Sequence, residues 1–394
     1  MSSQSPNPRH ADLDWLRVVA IMLLLVFHVG MMFNPWPWHV KNAELLPALE
    51  RPWQLMSALR MPLLMVVAGA GAALALRRRS LGGFAGERAR RLLVPLVFGI
   101  FVIVPPQIYI ERIVQGICHP TYIETLNVPR FHGSYLDFYP MVLQFVPFPK
   151  GALSWHHLWF VAYLFAFCLL ALPLFAWFAK PSGAAFLRRL ETLLSRGAWI
   201  FLLFLPLALV RILLRRYPQT YALIDDPKTV AYFGLLFLYG HLLVRCPTVM
   251  DRIVALRRWS LGLTVALYIP LAPDGDFPFP FEHLAVFALV WFGILAALGF
   301  ARHHIVERKP WLAYAQELAY PFYILHQTVI VLLGYALLNV PLGPWTKMGL
   351  LLALSFLGTW LGCEVARRVR WLRPLLGMKP APAPDNREAS VQTA

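Results

Sequence analysis

Cysteine is scarce in this chain: four in 394 residues, at Cys118, Cys168, Cys246 and Cys363. Their wide scatter excludes a disulfide framework and a cysteine-based zinc cluster. Charge is scarce too, with 14% of residues charged against 59% hydrophobic. A soluble core does not need apolar residues in that proportion. Here they fall in unbroken blocks of about 20, the length that carries a helix across a bilayer. The alternation of barrel strands is missing from these blocks, so the backbone has to satisfy its own hydrogen bonds within helices. The fold class read from this is an all-α polytopic membrane protein. Acidic residues are the minority charge, 20 against 36 Lys and Arg, for a net charge of +16. In a membrane protein such an excess reflects topology before it reflects nucleic acid, so the bilayer is the expected partner and nucleic acid is not.

About ten spans are predicted, near 15–33, 53–76, 92–110, 155–178, 199–214, 230–246, 259–273, 282–300, 319–338 and 346–366. With both termini placed in the cytoplasm, most Lys and Arg sort to the inner side, as the positive-inside rule requires. The first apolar run ends in Asn34-Pro35-Trp36-Pro37-Trp38, with no small-residue cleavage site, and reads as a retained span. Residues 1–377 form one transmembrane domain, and 378–394, polar and rich in proline, form a disordered cytoplasmic tail. The longest connection, about 111–154, carries Pro, Tyr, Phe and His and is expected to fold as an ordered external cap.

Ionisable residues inside apolar runs are costly and mark function. In the first span Asp14, Arg17 and His28 occur together. Eleven steps of about 100° bring Arg17 and His28 to one helix face, about 16 Å apart along the axis. Arg17 would sit at the inner interface, and His28 would sit deep and face the bundle interior. A second intramembrane imidazole, His326, stands in the run Tyr323-Ile324-Leu325-His326. Histidine suits general acid–base work because its ordinary pKa lies near neutrality. Arg60 falls inside the second span, where a guanidinium needs an acidic partner such as Glu50 or Asp137, or else an anionic substrate group. Gly69 and Gly71 read as close helix packing. Arg88 and Arg91 belong to a basic connection that either anchors topology or binds phosphate. His156 and His157 open the fourth span beside Trp159. Neighbours on a helix point about 100° apart, so these two make a poor metal pair, and no metal is expected. His241, His303 and His304 read as solvated near the inner face, and Glu364 as an interfacial partner of Arg367 or Arg368.

Taken in order, Asp14-x-x-Arg17, His28, Arg88-x-x-Arg91, His157-Leu158-Trp159-Phe160 and Tyr323-Ile324-Leu325-His326 resemble the acyltransferase-3 family over nearly the whole chain. The segment Trp38 to Glu44 and the pair Arg60-Met61 resemble members of that family that succinylate periplasmic glucans. Where many members carry a serine shortly before the late tyrosine, this chain has Ala319, Tyr320 and Pro321.

The resemblance implies a multi-pass protein of the bacterial inner membrane. It would move an acyl group, succinyl or acetyl, from cytoplasmic acyl-CoA to a hydroxyl of a periplasmic or cell-surface glycan. On that reading His28, His326 and Asp14 are the catalytic candidates, and Arg17, Arg88 and Arg91 hold the donor. Arg60, His157, Trp159 and Tyr323 line the acceptor side. No tightly bound cofactor is implied, and a homo-oligomer or a periplasmic partner stays open. A proton-coupled transporter or flippase for a glycan or polar lipid is the alternative from a different class; the lack of visible repeat symmetry and of a buried acidic relay weighs against it.

Overall fold

The computed structural model describes residues 10–114, 128, 130–270, 281–307 and 309–380. Among them every regular element is helical. Seven helices are long and apolar enough to cross a membrane, and two bent pairs raise the number to nine if each counts as one span. Among the described residues, seven to nine of the expected ten are therefore found. We number the main helices α1 Ala11–Met31, α2 Glu50–Leu76, α3 Leu81–Ile113, α4 His156–Leu170, α5 Leu172–Phe178, α6 Pro181–Leu194, α7 Trp199–Leu213, α8 Pro227–Arg245, α9 Pro247–Tyr268, α10 Phe281–His304, α11 Pro310–Ala336 and α12 Pro344–Arg368.

Two corrections to the spans have local causes. The expected fifth span is one arm of a pair, α6 and α7, bent by 117° around Ser195 to Ala198. The expected seventh span begins earlier than the hydropathy suggests: Pro247, favoured in the first helical turn, starts α9 immediately after α8 ends. The first half of α9 carries Asp251, Arg252, Arg257 and Arg258, and the helix is not among those apolar enough to span. A gentler bend of 47° separates α4 from α5, where Pro173 starts the second arm. The helix α3 contains two wide π-helical turns, at Ala89–Leu93 and Gly99–Ile103.

Glycine sets the closest crossing. A β-carbon on Gly69 would meet the Phe237 carbonyl oxygen at 1.9 Å, and one on Gly240 would meet that of Val66 at 1.8 Å. α2 and α8 thus touch backbone to backbone, as small residues permit in membranes. α1 locks onto α2 in another way: Trp53 donates from its indole to the Phe27 carbonyl at 2.8 Å and covers Gly30.

The described part of the 111–154 connection folds as expected, around Tyr109, Phe131, Tyr135 and Phe138 with ring centroids 5.4 to 6.3 Å apart. Arg112 ties it down through the carbonyls of Pro149 and Gly151. Cys118 and most of the 378–394 tail lie outside the described residues; Cys168, Cys246 and Cys363 are free and buried. Glu364 pairs with Arg367 and Arg368, as expected. His241 is not solvated. It is buried on α8, its ring stacked 4.1 Å from that of Phe175.

Candidate active site

Two imidazoles from helices far apart in sequence meet at the centre of the bundle. In the neutral pair the hydrogens are fixed by what each ring faces. Nδ1 of His326 lies 2.7 Å from the backbone carbonyl of Tyr323, an oxygen that only accepts, so this nitrogen carries the hydrogen. Nε2 of His326 then holds a lone pair, and Nδ1 of His28, 2.9 Å away, donates to it. Nε2 of His28 is left unprotonated, the tautomer a general base requires.

A third ring completes the group. His157 donates from Nε2 to the Ile324 carbonyl at 2.9 Å and accepts at Nδ1 from the Gln107 amide at 3.4 Å. The Tyr323 hydroxyl in turn donates to the His157 carbonyl. α1, α3, α4 and α11 are therefore joined by side-chain bonds at one level. His157 reaches this point because the chain turns sharply before it: His156 has φ 37°, in the left-handed region, and the adjacent rings part company.

The group opens onto a cavity of about 580 Å³ lined by His28, Arg60, His157, Trp159 and Tyr323, with Arg211 and Tyr221 among the rest. Trp159 lies 4.6 Å from the Tyr221 ring and 5.1 Å from Phe233, giving the cavity an aromatic wall. Tyr221, in the loop before α8, is kept protonated by burial, which raises its pKa against the pull of Arg60 and Arg211. Arg60 is held over the Phe27 ring with its guanidinium carbon 3.5 Å from the centroid. Its Nε has no hydrogen-bond partner, and no carboxylate among the described residues lies within ion-pair distance. Asp137 is occupied elsewhere, accepting at 2.8 and 2.6 Å from the backbone and hydroxyl of Ser134 in the cap of its own turn.

At the opposite end of α1, Arg17 lies 4.0 Å from Asp14 and packs against Gly71 of α2, close enough to Arg88 and Arg91 to feel their charge. Arg88 and Arg91 both reach Glu87, at 3.3 Å. Asp14 also accepts from the Gln316 amide. It therefore does not join the histidines: four helical turns separate it from His28, and its partners are at the arginine end. None of Arg17, Arg88 and Arg91 lines the cavity. Tyr320 lies between the two regions, near Arg88 and Arg91 and with its ring 6.4 Å from that of Tyr323.

The profile of the acyltransferase domain family matches residues 10–364. This chain belongs to that family. Glucans biosynthesis protein C from Salmonella paratyphi A, Salmonella agona and Salmonella enteritidis PT4 is similar at 24% identity over 201 residues, 51% of this chain. The aligned region covers 48% of each relative, so the chain spans about half the length of the curated relatives it matches. No solved structure matches.

Within this acyltransferase-family chain the sequence identifies the histidines of the centre but misses what connects them. Gln107 also donates to Thr328 at 2.6 Å and accepts from Gln327 at 3.1 Å, and Gln327 donates to His39 at 2.9 Å. Amides give no periodic signal inside apolar runs. Glu111 is a clearer omission, because a carboxylate near the end of an apolar block is itself a signal. It opens the connection read as an external cap, and it is fully buried and accepts from His39 at 3.1 Å. A buried carboxylate thus lies in the bundle, although no buried acidic relay is expected from the sequence.

Proposed function

We propose that this chain is a membrane-bound O-acyltransferase that moves an acyl group, succinyl in preference to acetyl, from acyl-CoA to a hydroxyl of a periplasmic or cell-surface glycan. The observation that carries the reading is the unprotonated Nε2 of His28 at the edge of a cavity that also holds an unpaired guanidinium. In the transfer the acceptor oxygen attacks the thioester carbonyl, its proton passes to His28 Nε2, the new C–O bond forms and the C–S bond breaks. The proton then returns to the departing sulfur. A thioester is already activated, so position and a base of this kind are worth about 10²–10⁴-fold and more in rate.

His326 keeps His28 in the correct tautomer, as the orienting partner of a catalytic imidazole does. Arg60 suits the free carboxylate of a succinyl group, because a half-buried guanidinium without a protein anion among the described residues favours an anionic ligand. The wall of Trp159 and Tyr221 suits the apolar face of a sugar ring, and the Tyr221 hydroxyl can donate to it. Arg17, Arg88 and Arg91 suit the phosphates of the donor at the other end of α1, which we assign to the cytoplasmic side of a bacterial inner membrane. Tyr320 and Tyr323 mark the path between the two ends. The test is purified protein in nanodiscs with radiolabelled succinyl-CoA and a glucan acceptor. Label should move to the glucan and the movement should be lost in His28→Ala; undiminished transfer in that variant, or flux of glucan without acyl-CoA, overturns the reading.

A further inference from the structure

A second cluster of titratable groups lies beside the first and takes no part in the proposed transfer. We infer that His39, Glu111 and His156 form a binding site for one divalent transition-metal ion of the zinc class. The three come from separate segments: the loop after α1, the end of α3 and the start of α4. One ligand atom from each lies within 4.8 Å of the others.

The local bonding leaves the site one positive charge short. Glu111 is fully buried, and among the described residues its one hydrogen-bond partner is the His39 Nδ1–H at 3.1 Å, with Oε1 unpartnered. Arg112, next in sequence, sends its guanidinium to backbone carbonyls instead. Nε2 of His156 faces the same carboxylate at 3.7 Å and has no hydrogen-bond partner. That separation is too long for a hydrogen bond. It is near the roughly 3.4 Å expected between two ligand atoms across a tetrahedral ion with bonds of about 2.0–2.1 Å. A buried carboxylate oxygen without a hydrogen-bond partner is unfavourable until a cation lies beside it.

The donor set selects the ion. Two imidazoles and one carboxylate suit zinc and its neighbours, whereas calcium and magnesium prefer oxygen throughout. Both rings are held from behind, as metal-binding histidines are. Nδ1 of His156 bonds Ser154 Oγ at 2.7 Å, and Nε2 of His39 meets the Gln327 amide at 2.9 Å. Ion binding at His39 Nδ1 requires its hydrogen to move to Nε2, so the Gln327 amide that donates there has to give way. His156 and His157 chelate nothing together, as their spacing dictates; each serves a different cluster.

The test uses the full chain, purified, chelator-stripped and titrated with Co²⁺ and then Zn²⁺. About one equivalent of Co²⁺ should give the visible bands of a low-coordinate nitrogen–oxygen site, and Zn²⁺ should bleach them and raise Tm. Glu111→Gln and His156→Gln should each weaken binding roughly tenfold or more. The proposal fails if the folded wild-type chain gives neither bands nor a Tm shift, or if both variants bind as tightly as wild type. Should a variant not fold, the wild-type titration alone decides.

Discussion

Two groups of three side chains lie side by side in this bundle, and they differ in one residue type. His28, His326 and His157 contain no carboxylate; every hydrogen is assigned by a backbone carbonyl or a neighbouring ring nitrogen, and one lone pair is left facing a cavity. His39, His156 and Glu111 contain a buried acid, and there the groups face inward on each other. Neutral rings oriented by carbonyls can exchange a proton with a passing hydroxyl. Rings gathered around an anion hold a cation instead. The amides of Gln107 and Gln327 join the two groups without giving either a net charge.

Experiments can break that contrast, beginning with the largest effect. His28→Ala should lower acyl transfer by about 10²–10⁴-fold, measured as label passing to glucan, because it removes the one ring nitrogen of the pair whose lone pair no hydrogen bond occupies. Second, His326→Ala should cost about 10–100-fold in kcat with KM nearly unchanged, and His326→Gln should recover part of it, since an amide oxygen can still accept from His28 Nδ1–H. Equal losses in the two variants would mean that His326 supplies packing and not orientation. Arg60→Met should raise KM for succinyl-CoA by about tenfold and leave acetyl-CoA within a factor of about two, a difference of about 1.4 kcal/mol in binding the carboxylate. The smallest effect belongs to the bridge: Gln327→Leu should change transfer by only about threefold while lowering stability by about 1–3 kcal/mol through the unpaired Gln107 oxygen, read from chemical denaturation. A large loss of transfer there would make the two clusters one functional unit.

Much of the architecture is legible in the sequence because hydrocarbon imposes a length on apolar helices. α1, α2, α8, α10, α11 and α12 all follow from their apolar runs. What the run lengths do not reveal are the bends. The turn between α6 and α7 depends on how two short helices pack, and the start of α9 on a proline that follows α8 directly. His28, His326, His157 and Arg60 are legible as candidates because each is costly where it sits. Their grouping is not, since α11 meets α1 across almost 300 residues of chain. Asp14 shows the converse: motif order placed it with His28, and helix geometry places it with Arg17 and Gln316. His39 sits in a loop, and its tie to Glu111 crosses 72 positions that no periodicity connects.

The two π-helical turns of α3 have a geometric consequence. Each takes in one residue more than an ordinary turn, and a residue is worth about 100° of rotation, so together they swing the far half of the helix by roughly half a revolution relative to the near half. The azimuth of Arg88 and Arg91 is thereby uncoupled from that of Gln107 and Glu111. Excising one residue from Gly99–Ile103 would remove the second of these turns and aim Gln107 and Glu111 away from both histidine groups, while leaving the arginines where they are.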